Sequence, residues 1–122
     1  MALLIRSGTL VTAAETFQAD ILVEGGKIAQ IGPHLTAPAD AEVVDASGML
    51  VLPGGVDAHV HLDLPMFGTV SSDDHYTGMK AAAFGGTTTL IDFISQDRSP
   101  LLANVAALKA KAEAKAAVDY SF

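Results

Sequence analysis

Pro53-Gly54-Gly55-Val56-Asp57-Ala58-His59-Val60-His61-Leu62-Asp63 sets two histidines two residues apart in a strand-like, β-branched segment. Side chains on a strand alternate between its faces, so His59 and His61 leave the same one, with Cα atoms roughly 6.5 Å apart. Two imidazoles on such stems can lean onto one ion at about 2.1 Å from each nitrogen, which makes the pair half of a metal site. The competing reading of a His-X-His pattern is a buried, hydrogen-bonded pair without an ion. The flanks favour the metal. Pro53 and the two glycines break the chain before the strand, and Leu62-Asp63-Leu64-Pro65 closes it. The histidines therefore fall near the carboxyl end of a strand, where parallel α/β sheets and barrels build their sites.

Working outward toward the amino end, the first fifty residues read as short strands joined by tight turns. Residues 3–5 and 9–12 flank Ser7-Gly8, residues 21–24 and 27–31 flank Gly25-Gly26, and residues 43–44 and 49–52 flank Ser47-Gly48. The Gly-Gly pair is a strong hairpin signal. The segment 1–52 is expected to form a small antiparallel β module with a loop at 33–40. His34, beside Pro33 in that loop, reads as a solvated side chain.

After Pro53 the grammar becomes strand, helix, strand. Residues 56–62 are the first strand. Ser72 or Asp73 caps a helix running to about Phe84, with Gly85 as its left-handed stop. Residues 87–93, dense in β-branched side chains, are the second strand. Ser99-Pro100 opens a second helix in the cap-then-proline pattern, on which Leu101, Val105, Leu108 and Ala112 form one stripe. Residues 118–122 have strand composition. Strands separated by helices of this length imply parallel units, so the fold class is α/β.

Composition narrows the function. Half of the 122 residues are apolar, which is the balance of a globular chain. With 14 acidic against 7 basic residues, the net charge of -7 argues against a nucleic-acid partner, which requires clustered Lys and Arg. The absence of cysteine rules out thiolate ligands and disulfides and fits a reducing compartment. No apolar run suits a signal peptide or a membrane span, so a cytoplasmic protein without a membrane partner is the expectation.

The segment 51–93 resembles the cyclic-amide branch of the amidohydrolase superfamily, and within it the dihydropyrimidinases and hydantoinases. The resemblance rests on the histidine strand quoted above, on Gly68-Thr69-Val70 leading to Asp73-Asp74, on Ala81-Ala82-Ala83-Phe84-Gly85-Gly86-Thr87-Thr88-Thr89, and on Ile91-Asp92-Phe93. It implies that 1–52 is part of a small β-sandwich completed by strands from the far carboxyl end. It implies equally that 53–122 is the opening β-α-β-α-β portion of a metal-dependent (β/α)8 TIM barrel. Such a barrel needs about 250 residues, so the chain reads as the truncated, amino-terminal portion of a larger enzyme.

The resemblance further implies two metal ions, usually zinc, bridged by hydroxide and a carbamylated lysine, with His59 and His61 on the more buried ion. The lysine, two more histidines and the proton-shuttling aspartate would lie beyond Phe122; Lys109, Lys111 and Lys115 do not match the lysine position. Asp57 and Asp63 share the face of the histidines by period two, and Asp57 is the stronger candidate for orienting an imidazole. Asp92 is a weaker candidate at the end of the second strand, and His75 reads as an ordinary first-turn helix residue. Leu64, Met66 and Phe67, in the loop after the histidine strand, are expected to border the substrate pocket. In the resembling enzymes that loop helps to select the substrate's side chain.

The implied reaction is hydrolysis of a dihydropyrimidine or 5-substituted hydantoin to an N-carbamoyl amino acid, in a homotetramer. Allantoinases and dihydroorotases share the histidine strand. Dihydroorotases usually place an Arg soon after the second histidine, and this sequence has none between His61 and Arg98. A non-catalytic dihydropyrimidinase-related scaffold is the rival outside the enzymes, and such relatives lack the paired histidines. With two ligands only, the 122 residues alone are expected to bind zinc weakly, fold poorly and be inactive.

Overall fold

Residues 2–11 form one strand where the sequence suggests two. β1 (Ala2–Val11) runs through Ser7-Gly8 with a bulge between Ile5 and Gly8, and Ser7 takes a left-handed φ of 61°. An inserted residue bends a strand without ending it, which is why the expected turn is absent. All 122 residues are described in the structure, a computed structural model, and they fold as two compact units, Met1–Pro53 and Gly54–Phe122.

In the first unit, β1 pairs antiparallel with β2 (Thr16–Glu24), and β2 with β3 (Lys27–Gly32). Gly25 and Gly26, with φ of 58° and 76°, make the expected hairpin turn. β4 (Glu42–Asp45) and β5 (Leu50–Val51) differ from expectation, because both run parallel to β1. Ser47-Gly48 is therefore a jog in a single course along β1 rather than a hairpin. The jog faces the β1 bulge: Ala46 N donates to Arg6 O at 2.8 Å, and Thr9 N donates to Met49 O at 3.0 Å. Gly8 makes the fit possible, since a Cβ there would lie 2.6 Å from Val51 Cγ2. The core comprises Leu10, Ala19 and Ile21 with Ile5, Phe17, Val23 and Val51 against them.

The second unit is α/β, as expected. Its three-stranded parallel sheet has the order β10 (Asp119–Ser121), β9 (Thr87–Asp92), β6 (Gly55–Val60). Helix α1 (His75–Phe84) connects β6 to β9, and α2 (Leu101–Glu113) connects β9 to β10. The α1 cap is Asp74, one residue beyond the expected position. Its carboxylate accepts Thr77 N at 2.8 Å while Thr77 Oγ1 accepts Asp74 N at 3.1 Å, a reciprocal box. The left-handed stop is Gly86 (φ 81°), since Gly85 stays right-handed. Pro100 occupies the cap position of α2 without a side-chain bond, so Ser99 does not cap it. Pro65–Met66 (β7) and Thr69–Val70 (β8) form a hairpin within the expected loop, turned by the left-handed pair Phe67-Gly68.

Gly54 and Gly55 let the start of β6 approach the start of β9. Gly55 N donates to Gly86 O at 2.8 Å, and a Cβ on Gly54 would run into the Thr88 side chain, lying 2.7 Å from its Cβ. The register shifts twice along the pair, between Gly55 and Val56 and between Asp57 and Val60, and at the opposite end, where the histidines sit, Val60 pairs with Asp92.

Candidate functional site

His59 is the penultimate residue of β6 and His61 is the first beyond it, both exposed. Their rings stand nearly perpendicular, at 80°, and the two Nε2 atoms face each other at 3.2 Å. Two nitrogens held about 2.1 Å from one tetrahedral ion lie ~3.4 Å apart. The pair thus fits two corners of a metal site with little adjustment. No cluster of three or more His, Cys, Asp or Glu side chains placed to hold an ion occurs around it.

Phe93 flanks the pair. Val60 lies in register with Asp92 across β6 and β9, and Phe93 N donates to Val60 O at 3.3 Å. The Phe93 ring accordingly stacks on His59 at 4.2 Å and 28°, and lies 5.4 Å from the His61 ring. An aromatic wall on one side restricts the rotation of both imidazoles. Asp57 has a different role from a ring partner: its Oδ1 accepts the backbone N of His59 at 3.1 Å.

Just past His61 the backbone is held by carboxylates. Leu62 N faces both Asp92 oxygens at 3.4 Å, and Asp92 Oδ1 also accepts Phe93 N at 2.7 Å. Asp63 takes a left-handed φ of 50°, a conformation that costs a residue with a Cβ about 1 kcal/mol. Its N donates to Asp73 O at 3.0 Å, and its Oδ2 accepts His75 Nδ1 at 2.8 Å. The other His75 nitrogen, Nε2, lies 3.3 Å from Asp92 Oδ2 without forming a hydrogen bond. His75 is wholly buried and Asp92 nearly so.

Lys115, beyond α2, completes the network with Nζ 2.9 Å from Asp74 Oδ2 and 3.7 Å from Asp63 Oδ2. Burial works against ionisation of Asp63, yet hydrogen bonds from the His75 side chain and backbone and the charge of Lys115 keep its carboxyl below the usual value. Bonds from Thr77 N and from Lys115 hold Asp74 at about 2. The hydrogen bond to Asp74 raises Lys115 above its ordinary value.

A cavity of about 170 Å³ opens beside this network, with Leu62, Leu64, Pro65, Phe93 and Leu108 among its walls. Of the three residues expected to border a pocket, Leu64 lines it, while Met66 and Phe67 project from the β7–β8 hairpin, Phe67 almost fully exposed. His75 and Phe93 are the residues that sequence reasoning passed over. Phe93 could have been found from its place one residue past a strand parallel to the histidine strand. His75 carried no comparable signal.

A profile of the amidohydrolase family matches residues 50–122. Over the whole chain, the sequence is 50% identical to the D-hydantoinase of Geobacillus stearothermophilus, of which it covers 26%. It is 41% identical, over 97% of its length, to dihydropyrimidinase 1 of Caenorhabditis elegans, covering 25% of that protein. The crystal structure of dihydropyrimidinase from Brevibacillus agri NCHU1002 superposes with a TM-score of 0.93 at 51% identity, over 98% of this chain and 26% of that one. The chain spans about a quarter of the length of the relatives it matches.

Proposed function

The chain belongs to the amidohydrolase family, in its D-hydantoinase and dihydropyrimidinase branch, and from that premise we propose that the complete enzyme hydrolyses the ring amide of 5,6-dihydropyrimidines or 5-substituted hydantoins to N-carbamoyl amino acids. The family is metal-dependent. In this reading the metal is zinc in a two-ion centre, and His59 and His61 hold the more buried ion. Residues 1–52 contribute to a β-sandwich, and residues 53–122 open a metal-bearing (β/α)8 barrel. The remaining ligands and the proton-shuttling group belong to later strands, and the assembly is a cytoplasmic homotetramer.

The observation that carries the proposal is the 3.2 Å separation of the two Nε2 atoms at the carboxyl end of a parallel strand. A divalent ion held by His59 and His61 would supply a nucleophile at neutral pH, by lowering the pKa of water to about 7, and would polarise the scissile carbonyl. The chain's own residues orient that chemistry. Phe93 stacks on His59 and limits how far either imidazole can turn. Asp57 ties down the backbone of His59 and so fixes the root of that ligand. Leu64, Met66 and Phe67 offer apolar surface to a neutral ring or its substituent.

The test is an assay of the complete enzyme against dihydrouracil, a 5-substituted hydantoin, dihydroorotate and allantoin. Turnover of the first two is expected. Preference for dihydroorotate or allantoin overturns the assignment.

A further inference from the structure

Of the four histidines, His75 alone is buried, at 0% exposure in the first turn of α1. An imidazole taken fully out of water is unfavourable unless its nitrogens are paired, and an apolar side chain could fill the same space. What the histidine adds is a link between two carboxylates that are far apart in sequence. Nδ1 donates to Asp63 Oδ2 at 2.8 Å, the backbone N of His75 meets the same oxygen at 3.3 Å, and Nε2 faces Asp92 Oδ2 at 3.3 Å.

Each carboxylate in turn holds backbone beside the His59–His61 pair. Asp92 receives Leu62 N, one residue after His61, and Phe93 N, at the root of the ring that stacks on His59. Asp63 is the left-handed residue at which the chain turns away from β6. Leu62 is pressed into α1 at Gly78, where a Cβ would collide with its Cδ2, so the helix carrying His75 sits directly against this exit. The imidazole therefore ties the end of β6 to the end of β9.

Resting on the metal reading above, we infer that His75 is a positioning residue of the His59–His61 site. Wedged between Asp63 and Asp92, it sets the direction in which the chain leaves β6, and with it the convergence of the two Nε2 atoms and the seat of Phe93 under His59. It touches neither metal nor substrate. Its loss should loosen the ligand pair without removing a ligand.

The test uses His75→Leu, His75→Asn and His75→Gln in the complete enzyme. Leucine keeps the volume and loses the hydrogen bond to Asp63 and the polar contact with Asp92; asparagine retains a donor near the Nδ1 position, facing Asp63; glutamine extends toward Asp92. Three readings are taken: metal retained after dialysis against a chelator, the visible spectrum of the cobalt-substituted protein, and kcat and KM separately. Disruption of supporting groups around metal ligands typically lowers affinity or activity ~10–100-fold. H75L is expected to lose metal faster, shift the cobalt bands and lower kcat about tenfold with little change in KM. H75N is expected to recover a large share of all three.

A folded H75L with native metal retention, cobalt spectrum and kcat overturns the inference. If H75L fails to fold, H75Q and H75N decide: native spectrum and retention in both overturns it, and a shifted spectrum in H75Q with recovery in H75N supports it. His59→Ala is the control on the underlying reading. If H59A keeps its metal, the metal site itself is wrong; if H59A loses metal and the His75 variants do not, only the role of His75 fails.

Discussion

The two units of this chain keep their backbones in order by different means. Met1–Pro53 relies on long strands: β1 has ten residues and β2 nine, most of their polar backbone is paired in ladders, and the buried side chains are mainly apolar, Leu4, Leu10, Ala19 and Ile21 among them. Its one buried acid, Asp20, serves the β1 bulge and the following loop by accepting Ser7 N at 2.7 Å and Leu35 N at 2.9 Å. Gly54–Phe122 has strands of six, six and three residues in its parallel sheet. Past the carboxyl ends of β6 and β9 only the short β7–β8 hairpin continues the laddering, and Asp63, Asp74 and Asp92 accept backbone N–H groups around the buried His75. Apolar burial sets how stable a segment is, whereas directional charged bonds set where a particular atom points. The second device is found where two imidazoles have to converge.

The sharpest way to break this contrast is to remove a converging group. His59→Ala or His61→Ala in the complete enzyme should lower turnover by more than about a hundredfold, beyond the ~10–100-fold typical of groups that only support a ligand. Elemental analysis should show the loss of metal, and both variants should melt as the apo enzyme does, because both side chains are exposed. Unchanged metal content would end the metal reading.

In the first unit the corresponding lever is packing. Leu4→Ala, at a fully buried position, should destabilise by about 2–5 kcal/mol in chemical denaturation. Ile28→Ala, on β3 at 62% exposure, should stay within about 0.5 kcal/mol. Equal effects would mean that the apolar core described here does not govern the stability of this unit.

A smaller effect is expected at Gly54→Ala, where the new Cβ meets the branched Thr88 side chain at the start of the parallel pairing. Overpacking of this kind destabilises by ~1–3 kcal/mol. The measurement that matters is paired: the melting shift and the cobalt spectrum of the histidine site, at the opposite end of the same strand. A melting shift with an unaltered spectrum would show that the register near the histidines is set locally.

The smallest effect is the pH dependence of the α1 cap. Asp74 has a folded pKa of about 2 against an ordinary 3.8, so its contribution is fully present above about pH 4 and is lost as pH falls toward 2. Asp74→Asn preserves an acceptor for Thr77 N and removes the titrating charge opposite Lys115. The stability difference between native protein and variant should therefore shrink across that window. A difference that stays constant from pH 5 to pH 2 would remove Asp74 from the account.

Much of this architecture was legible because it depends on neighbours in sequence. The Gly25-Gly26 hairpin, the strand–helix–strand order after Pro53 and the shared face of His59 and His61 follow from backbone rules that act over two to four residues. The errors also had local causes. Ser7-Gly8 and Ser47-Gly48 have turn composition, and nothing in either pair distinguishes a hairpin from a bulge facing a jog. That distinction depends on β4 and β5 lying parallel to β1, a pairing between segments about forty residues apart. Phe67-Gly68 shows the reverse case, a usable turn signal inside a segment read as plain loop.

By itself, the sequence determined the α/β class of the second unit, the β character of the first, and the candidate ligands His59 and His61 with their common face. Period and turn chemistry are properties of the chain that hold before it folds. Only the tertiary structure decided what surrounds those ligands. Phe93 reaches His59 because Val60 of β6 pairs with Asp92 of β9, Lys115 reaches Asp74 across 41 residues, and His75 lies between Asp63 and Asp92 because α1 packs over the end of β6 at Gly78. Those contacts join side chains whose separation along the chain carries no information about their distance in space. Their strength comes from burial, which excludes the water that would otherwise compete for each charge, and burial exists only once the elements have packed.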